Sequence, residues 1–244
     1  MKMRAFDVAI IGICAALYAV IGRLTDLGLT VGGVSFLPAV VIPAVFAVLF
    51  GPWTGGVGAA IGIFIKDMIT HGDPLLSLTA GVTSNFAAFF LIGYISRTEL
   101  DSKKIITSLI IASATILAAF LLPDLSVFQI IVLFVGTVIS TLIIIAVVYK
   151  FAHEWKSYTV GSVIGIGVGS VIIPIVLWAY SQILVSPNVY NAPLQLSIMP
   201  IIFVWTFATE IPFILFLGPP IIKACYKAFP SLKKEKGKKE EKNN

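Results

Sequence analysis

Three ionisable residues lie in stretches of the chain that are otherwise apolar enough to sit in lipid. Lys66 and Asp67 fall near the end of LFGPWTGGVGAAIGIFIKDM, and Glu210 lies within FVWTFATEIPF. An ionisable side chain near the middle of a membrane helix costs about 3 kcal/mol on insertion scales, so it tends to face a cavity or a partner. Glu210 is therefore the strongest candidate for a ligand or coupling-ion contact. The structural alternative is a neutral, protonated Glu210, or one that pairs with Lys66 for helix packing.

Other polar residues extend this set toward one end of the predicted helices. Lys66 and Asp67 differ by about 100° around their helix, so Lys66 is expected to face inward and Asp67 to face the outer loop. Arg23 and Asp26 close the first apolar segment, and Asn85 lies within the fourth. Snorkelling to the interface is the alternative for Arg23, and a packing hydrogen bond is the alternative for Asn85.

Aromatic and amide side chains add candidates near the last apolar segment. The loop SPNVYNAPLQ supplies Tyr190 and Asn191, and Trp205 follows shortly after it. Trp178 and Trp205 can stack on a ligand ring, although tryptophans near helix ends are also common interfacial anchors. The predicted ligand-binding residues are Arg23, Asp26, Lys66, Asp67, Asn85, Tyr190, Asn191, Trp205 and Glu210.

The sequence offers little for catalysis. His71 and Asp73 follow Asp67, but a turn with an Asp cap explains HGDP, and we predict no metal site. No H-E-x-x-H, no G-x-S-x-G and no phosphate loop is present, and Cys14 and Cys225 fall at different depths. We therefore predict no catalytic residues, no cofactor and no enzyme activity, which leaves transport or binding.

The elements that position these residues follow from composition. The 244-residue chain is 58% hydrophobic and 12% charged, whereas a soluble domain carries about 25% charged residues. Apolar runs of helix length predict an all-α, polytopic transmembrane bundle of about eight (six to eight) spans. The segments run roughly over 5–24, 34–50, 54–70, 76–96, 105–122, 125–149, 158–185 and 198–222. Residues 1–228 are expected to form one domain, and 229–244 a disordered basic tail.

The distribution of positive charge orients the predicted bundle. With an even number of spans and both termini in the cytoplasm, all of the 17 Lys and Arg residues except Arg23 and Lys66 fall on the cytoplasmic side. The basic tail is expected to be solvated, and attraction to anionic lipid is the alternative. Nothing else in the sequence favours nucleic-acid binding.

Small residues at helical spacing predict close helix packing. Gly58 and Gly62 form one stripe with Lys66, and GSVIGIGVG places three glycines on one face of a later helix. The first helix offers Gly12, Ala15, Ala16 and Ala19. Each stripe can pack inside the bundle or dock a partner subunit, and the first helix is the best candidate for docking.

The first hundred residues carry a resemblance. AALYAVIGRL followed by FLPAVVIPAVFAVLFGPWTGGVGAAIG resembles the substrate-binding S-components of energy-coupling factor (ECF) transporters, in which a proline-bearing helix runs into a glycine-rich LFGP segment. The family's Ala-x-x-x-Ala motif corresponds to Ala15 and Ala19. Its cobalt and nickel branch carries an N-terminal Met-His ligand, but Lys2 stands in that place here.

The resemblance implies a function that needs other chains. The protein would capture a vitamin or similar micronutrient at the cell (plasma) membrane, and Ala15 and Ala19 would contact a coupling transmembrane subunit driven by two ATPase subunits. The mixed charge of the candidate residues leaves riboflavin, thiamine, biotin, folate and a queuosine precursor open. The competing hypothesis is a self-sufficient secondary transporter that uses Glu210 as a proton or cation site, with Lys66 as its counter-charge.

Overall fold

The computed structural model describes residues 4–98, 155–184 and 188–232. Six helices and one short antiparallel β-hairpin run through these ranges. The hairpin pairs β1 (Thr30–Val31) with β2 (Val34–Ser35), and a 3-10 turn, Pro38–Val40, precedes the second helix. The helices are α1 (Ala5–Leu24), α2 (Val41–Phe50), α3 (Pro52–Thr70), α4 (Pro74–Ile95), α5 (Lys156–Ile183) and α6 (Ile198–Ala228).

Four of these helices, α1, α4, α5 and α6, are long and apolar enough to cross a membrane. Large apolar side chains also face outward on α1, where Val8, Val20 and Leu24 are 58, 57 and 77% exposed. Such an apolar surface suits lipid rather than water. The prediction of a helical fold with membrane-length segments is confirmed for these ranges. The predicted segments 105–122 and 125–149, and most of the tail, lie outside the described residues, so the span count stays a prediction.

The second apolar segment is short. Gly51, with φ +114°, separates α2 from α3. At 1.5 Å per residue the ten residues of α2 reach only about 15 Å, half the thickness of a bilayer core. Together with the residues just before it, the segment still runs along most of α1. Leu37 would lie 3.2 Å from a Cβ on Gly22, near the end of α1, and the ring of Phe50 lies 6.5 Å from that of Phe6, near its start.

The glycine stripes pack helices inside the protein. A Cβ on Gly62 would lie 2.8 Å from the Ala15 carbonyl oxygen of α1. A Cβ on Gly165 would lie 2.5 Å from the Ala88 carbonyl oxygen of α4. At both positions the nearest atom belongs to the backbone of the neighbouring helix. The close packing of α1 against α3, and of α4 against α5, therefore requires glycine there. The internal-packing interpretation of both stripes is confirmed.

The first helix turns Ala15 and Ala19 inward. Ala15 and Ala19 are each only 3% exposed, on the face of α1 that meets α3. Both residues are therefore covered by α3 in this arrangement, whereas the resemblance implied that they contact a coupling subunit. The exposed small residues of α1 are Ala5, Ala9, Gly12 and Ala16, and no atom beyond the local helix backbone lies within 4 Å of a Cβ built on Gly12.

The two ends of the bundle differ in charge. At one end, which we call the basic end, Phe6 of α1 meets Phe50 of α2, and Arg97 donates a hydrogen bond to the Val48 carbonyl oxygen (2.9 Å). The opposite end carries the β-hairpin and is called the hairpin end. Within the described ranges every Lys and Arg apart from Arg23 and Lys66 belongs to the basic end: Arg4, Arg97, Lys156, Lys223 and Lys227.

Candidate functional site

A cavity of about 80 Å³ lies at the hairpin end, between β2, α3, α4, α5 and α6. Residues far apart in sequence meet there because α3 enters from one side and α6 from the other. Four of the nine predicted ligand-binding residues line it, and much of the remaining wall is aliphatic. The polar lining residues are Ser35, Lys66, Asp67, His71, Ser77, Asn85 and Glu210.

Lys66 joins three segments of the chain at the cavity wall. It lies one turn after Gly62, where α1 and α3 approach closely, and it is only 4% exposed. Its Nζ lies 3.4 Å from Oδ2 of Asp26, in the loop after α1, and donates a hydrogen bond to Oγ of Ser35 in β2 (3.1 Å). Lys66 therefore pairs with Asp26, and the alternative pair between Lys66 and Glu210 is not formed.

Asp67 is buried between α3 and α4, not turned to the outer loop as expected. Its Oδ2 accepts a hydrogen bond from Oγ of Ser77 (2.7 Å), and its Oδ1 lies 3.8 Å from Nε2 of His71. A π-helical segment of α4, Ser77–Val82, forms the facing surface. A Cβ on Gly81 would lie 2.7 Å from Oδ2 of Asp67, so the carboxylate occupies the space that this glycine leaves.

Asn85 holds α1 and α4 together beside the cavity. Its Oδ1 accepts a hydrogen bond from the Tyr18 hydroxyl (2.8 Å), and its Nδ2 donates to the Gly81 carbonyl oxygen (2.9 Å). The packing hydrogen bond foreseen for Asn85 is thus present. Asn85 also lines the cavity, so the two interpretations of this residue are compatible.

Glu210 presents a free carboxylate to the cavity. It lies in the middle of α6, surrounded by protein, and the part of it that remains accessible belongs to the cavity lining. Within the ranges that the structure describes, no hydrogen bond or ion pair reaches its side chain. A carboxylate at this depth is costly without a partner, which makes Glu210 the least satisfied polar group of the site.

The β-hairpin forms one wall of the cavity. Trp205 of α6 donates a hydrogen bond from Nε1 to the Val34 carbonyl oxygen (2.9 Å), and the rings of Phe36 and Phe213 meet edge to face at 5.5 Å. The turn needs two glycines with positive φ, Gly32 at +56° and Gly33 at +86°. Trp205 thus anchors the hairpin through its indole nitrogen, and it is not among the residues that line the cavity.

The remaining predicted residues lie outside the cavity lining. Arg23 and Asn191 are exposed. Tyr190 is buried and packs in one cluster with the cavity-lining Leu76 and Leu177. Its hydroxyl has no hydrogen-bond partner among the described residues. Burial, assisted by the neighbouring Tyr180 and by the charge of Asp73, raises the pKa of Tyr190 to about 12. The phenol is therefore neutral at physiological pH.

The HGDP turn is a helix cap. Asp73 is the N-cap of α4 and its Oδ1 accepts a hydrogen bond from the Leu76 amide (3.0 Å), which confirms that interpretation. In the described part of the chain no three His, Cys, Asp or Glu side chains are grouped closely enough to hold a metal ion. Cys14 and Cys225 are both free.

Three polar residues of the site escaped the sequence analysis. Ser35, Tyr18 and Ser77 each contact a predicted residue, namely Lys66, Asn85 and Asp67. Hydroxyl side chains are common in apolar helices and carry no distinctive spacing, so nothing marked Ser35 or Ser77. Tyr18 did give a signal, because it falls on the same face of α1 as Ala15, which the glycine stripe of α3 covers.

The arrangement of the site is suited to holding a small molecule. Fixed hydrogen bonds hold Asp67 and Asn85 in place, an ion pair neutralises Lys66, and one carboxylate stays available to a guest molecule. Both serine hydroxyls of the lining are engaged by charged neighbours: Oγ of Ser77 donates to Asp67 (2.7 Å), and Oγ of Ser35 accepts from the Lys66 ammonium group (3.1 Å). Comparison with protein-family models, with curated proteins and with solved structures gave no match.

Proposed function

We propose that the protein is the membrane-embedded, substrate-binding subunit of an ECF-type uptake transporter at the plasma membrane. It takes up a vitamin or similar micronutrient and depends on a separate coupling subunit and two ATPase subunits for energy. The observation that carries this proposal is the cavity at the hairpin end, where Lys66, Asp67, Asn85 and Glu210 converge from three helices. Small-molecule sites commonly combine apolar walls with a few such fixed polar groups.

The position of the cavity supports uptake from outside. It lies at the hairpin end, whereas the described Lys and Arg residues gather at the basic end, apart from Arg23 and Lys66. Positive residues favour the cytoplasmic side of a membrane. The cavity therefore faces the external side in the proposed orientation, where an importer receives its substrate.

The volume of the cavity requires movement of its wall. Sites for vitamin-sized ligands enclose about 300–1,000 Å³, whereas this cavity encloses about 80 Å³. Two side-chain hydrogen bonds join the hairpin to the helices: Lys66 donates to Ser35, and Trp205 donates to Val34. We propose that the hairpin moves outward to admit the substrate and returns over it.

A coupling subunit needs an accessible face on the bundle. Ala15 and Ala19 offer none in this arrangement, because both are buried against α3. We place the contact instead on the outward face of α1 that carries Gly12 and Ala16, since small residues allow a partner helix to approach closely.

The decisive experiment is native mass spectrometry of the detergent-purified chain, followed by titration with a panel of vitamins. A retained small molecule, or one vitamin bound at nanomolar strength without transport by the chain alone, is the expected result. Uptake should then appear in proteoliposomes only after the coupling and ATPase subunits are added. The absence of any bound molecule, with no response to the panel, would contradict the proposal.

A self-sufficient secondary transporter is the second candidate. The free carboxylate of Glu210 favours it, because a proton or cation site needs an ionisable group with no fixed counter-charge. Lys66 does not fill the counter-charge role, since it pairs with Asp26. This candidate requires the chain alone to accumulate substrate under an ion gradient, and Glu210→Gln to abolish that accumulation. Tight binding with no gradient-driven uptake rejects it.

A further inference from the structure

The charges around the cavity do not balance. Lys66 is the lysine of the lining, and its ammonium group is already paired with Asp26 at 3.4 Å. The two side chains of this pair are 5% and 6% exposed, so the pair is shielded from water and holds little attraction for a second anion. An anionic ligand would have to displace Asp26 to reach Lys66.

Asp67 and Glu210, the two acidic side chains of the lining, have no Lys or Arg partner among the described residues. Asp67 accepts from the neutral Ser77 hydroxyl and lies 3.8 Å from His71. Glu210 has neither a hydrogen bond nor an ion pair within the described ranges. A carboxylate surrounded by protein is stabilised most by a positive charge that arrives with a ligand. The cavity thus favours a positive group over a neutral or negative one.

The aliphatic walls of the cavity limit the kind of cation that can bind there. Ile63, Leu76, Ile173 and Leu177 supply aliphatic surface, and no Trp, Tyr or Phe belongs to the lining found in the described ranges. Binding of a cation on aromatic faces therefore does not apply. Protein sites for metal ions commonly draw on His, Cys, Asp and Glu side chains, and no three of these are grouped closely enough to hold one among the described residues. An organic cation with an apolar body fits both conditions.

We infer that the substrate of this site is an organic cation, either a protonated amine or a quaternised nitrogen, whose positive group contacts the carboxylate of Glu210. Asp67 adds a second negative charge to the same cavity, and the aliphatic wall receives the apolar part of the ligand. This inference rests on the proposed function and specifies the class of its substrate.

The test compares molecules of different charge on the unmodified, full-length chain. The molecule that co-purifies is identified by mass spectrometry, and thiamine (cationic), riboflavin (neutral), biotin and folate (anionic) are titrated by calorimetry. Three molecules with the same pyridine ring are then compared: 3-(aminomethyl)pyridine (cationic), nicotinamide (neutral) and nicotinate (anionic). We expect the cationic member of each set to bind at least tenfold more tightly than the others. This comparison does not depend on the folding of any variant.

A variant then assigns the charge preference to one residue. Glu210→Gln removes the ionisable group while keeping the shape of the side chain, and we expect it to lower the affinity for the cation at least tenfold. Asp7→Asn, which removes a carboxylate at the basic end, is the matched control and should leave binding unchanged.

The outcomes separate the two proposals. Tight binding of a neutral or anionic molecule, or cation binding that Glu210→Gln leaves unchanged, overturns the inference and leaves the proposed function standing. Failure of every molecule to bind overturns the proposed function, and the inference falls with it.

Discussion

The ammonium group of Lys66 lies 3.4 Å from the carboxylate of Asp26, and both side chains are almost completely removed from solvent. The pair joins α3 to the loop after α1, and the same ammonium group donates to Ser35 of the hairpin. One lysine thus ties both the loop after α1 and the hairpin to α3. The site wall depends on a contact between residues 40 positions apart in the sequence.

We expect Asp26→Asn to lower the free energy of unfolding by about 3–5 kcal/mol, because it leaves a buried ammonium group without its counter-charge. The double variant Asp26→Asn with Lys66→Met should lose much less than the sum of the two single variants. Unfolding in mixed micelles measures both. Asp7→Asn breaks an exposed pair with Arg4 and should cost no more than about 1 kcal/mol. Additive single effects would show that Lys66 and Asp26 do not interact.

Gly165→Ala should destabilise the bundle, since the new methyl group would lie 2.5 Å from the Ala88 carbonyl oxygen and force α4 and α5 apart. Overpacking of this kind costs about 1–3 kcal/mol. The matched control is Gly12→Ala on the outward face of α1, where a Cβ meets nothing within 4 Å. There the better helix propensity of alanine should leave stability unchanged or slightly higher. Thermal melting in detergent compares the two; equal shifts would contradict the packing shown for α4 and α5.

Trp205→Phe should loosen the hairpin. The substitution removes the hydrogen bond from the indole nitrogen to the Val34 carbonyl oxygen, which is worth about 1 kcal/mol. Amide hydrogen exchange over residues 30–35 should then accelerate about fivefold. Trp53→Phe, on an exposed part of α3, serves as the control and should leave exchange in the hairpin unchanged. Unaltered exchange in Trp205→Phe would mean that this bond does not hold the hairpin.

Tyr18→Phe should affect both stability and binding. It leaves Oδ1 of Asn85 without its donor at the edge of the cavity, a loss of about 1–3 kcal/mol. Tyr158→Phe removes a comparable bond, to the Ile214 carbonyl oxygen, near the basic end. Both variants should unfold at a lower temperature, but only Tyr18→Phe should weaken binding of the ligand found in the vitamin panel. Equal effects on binding would separate Asn85 from ligand recognition.

Tyr190→Phe distinguishes two roles for a hydroxyl that has no partner in the described part of the chain. If the hydroxyl serves packing alone, its removal relieves an unsatisfied buried group, and stability should stay equal or rise by up to about 1 kcal/mol. If the hydroxyl contacts the ligand, affinity should fall about tenfold. Because the pKa of Tyr190 is raised to about 12, neither result should change between pH 6 and pH 9. Calorimetric titration at both pH values measures this.

The sequence predicted elements better than contacts. Hydropathy and the glycine stripes located α1, α3, α5 and the start of α6 within a few residues, because a membrane-length apolar run and close helix packing leave direct marks. The depth of Glu210, Lys66 and Asn85 was also readable, since a polar residue stands out in an apolar run. The extra length of α6 beyond residue 222 was missed, because helix α6 continues through Lys223 and Lys227 at the basic end.

The contact partners of each polar residue could not be predicted from the sequence. Lys66 has several carboxylates within the predicted external end, and only the path of the loop after α1 brings Asp26 to it. Two short strands in the loop gave no alternating pattern long enough to detect. Ala15 and Ala19 were recognised as a helix-packing pair, but spacing alone does not tell whether the neighbour belongs to the same chain.

The π-helical segment Ser77–Val82 also shapes the site through the geometry of α4. In an uninterrupted α-helix Ser77 and Ser84 are seven residues apart and would share one face. The inserted residue of a π segment advances the rest of the helix by about 100°. Ser77 therefore points to Asp67 of α3, while the Ser84 backbone borders Gly169 of α5. Deletion of a single residue here would restore an uninterrupted α-helix, in which Ser77 and Ser84 share one face. Either Asp67 of α3 or Gly169 of α5 would then lose its contact with α4.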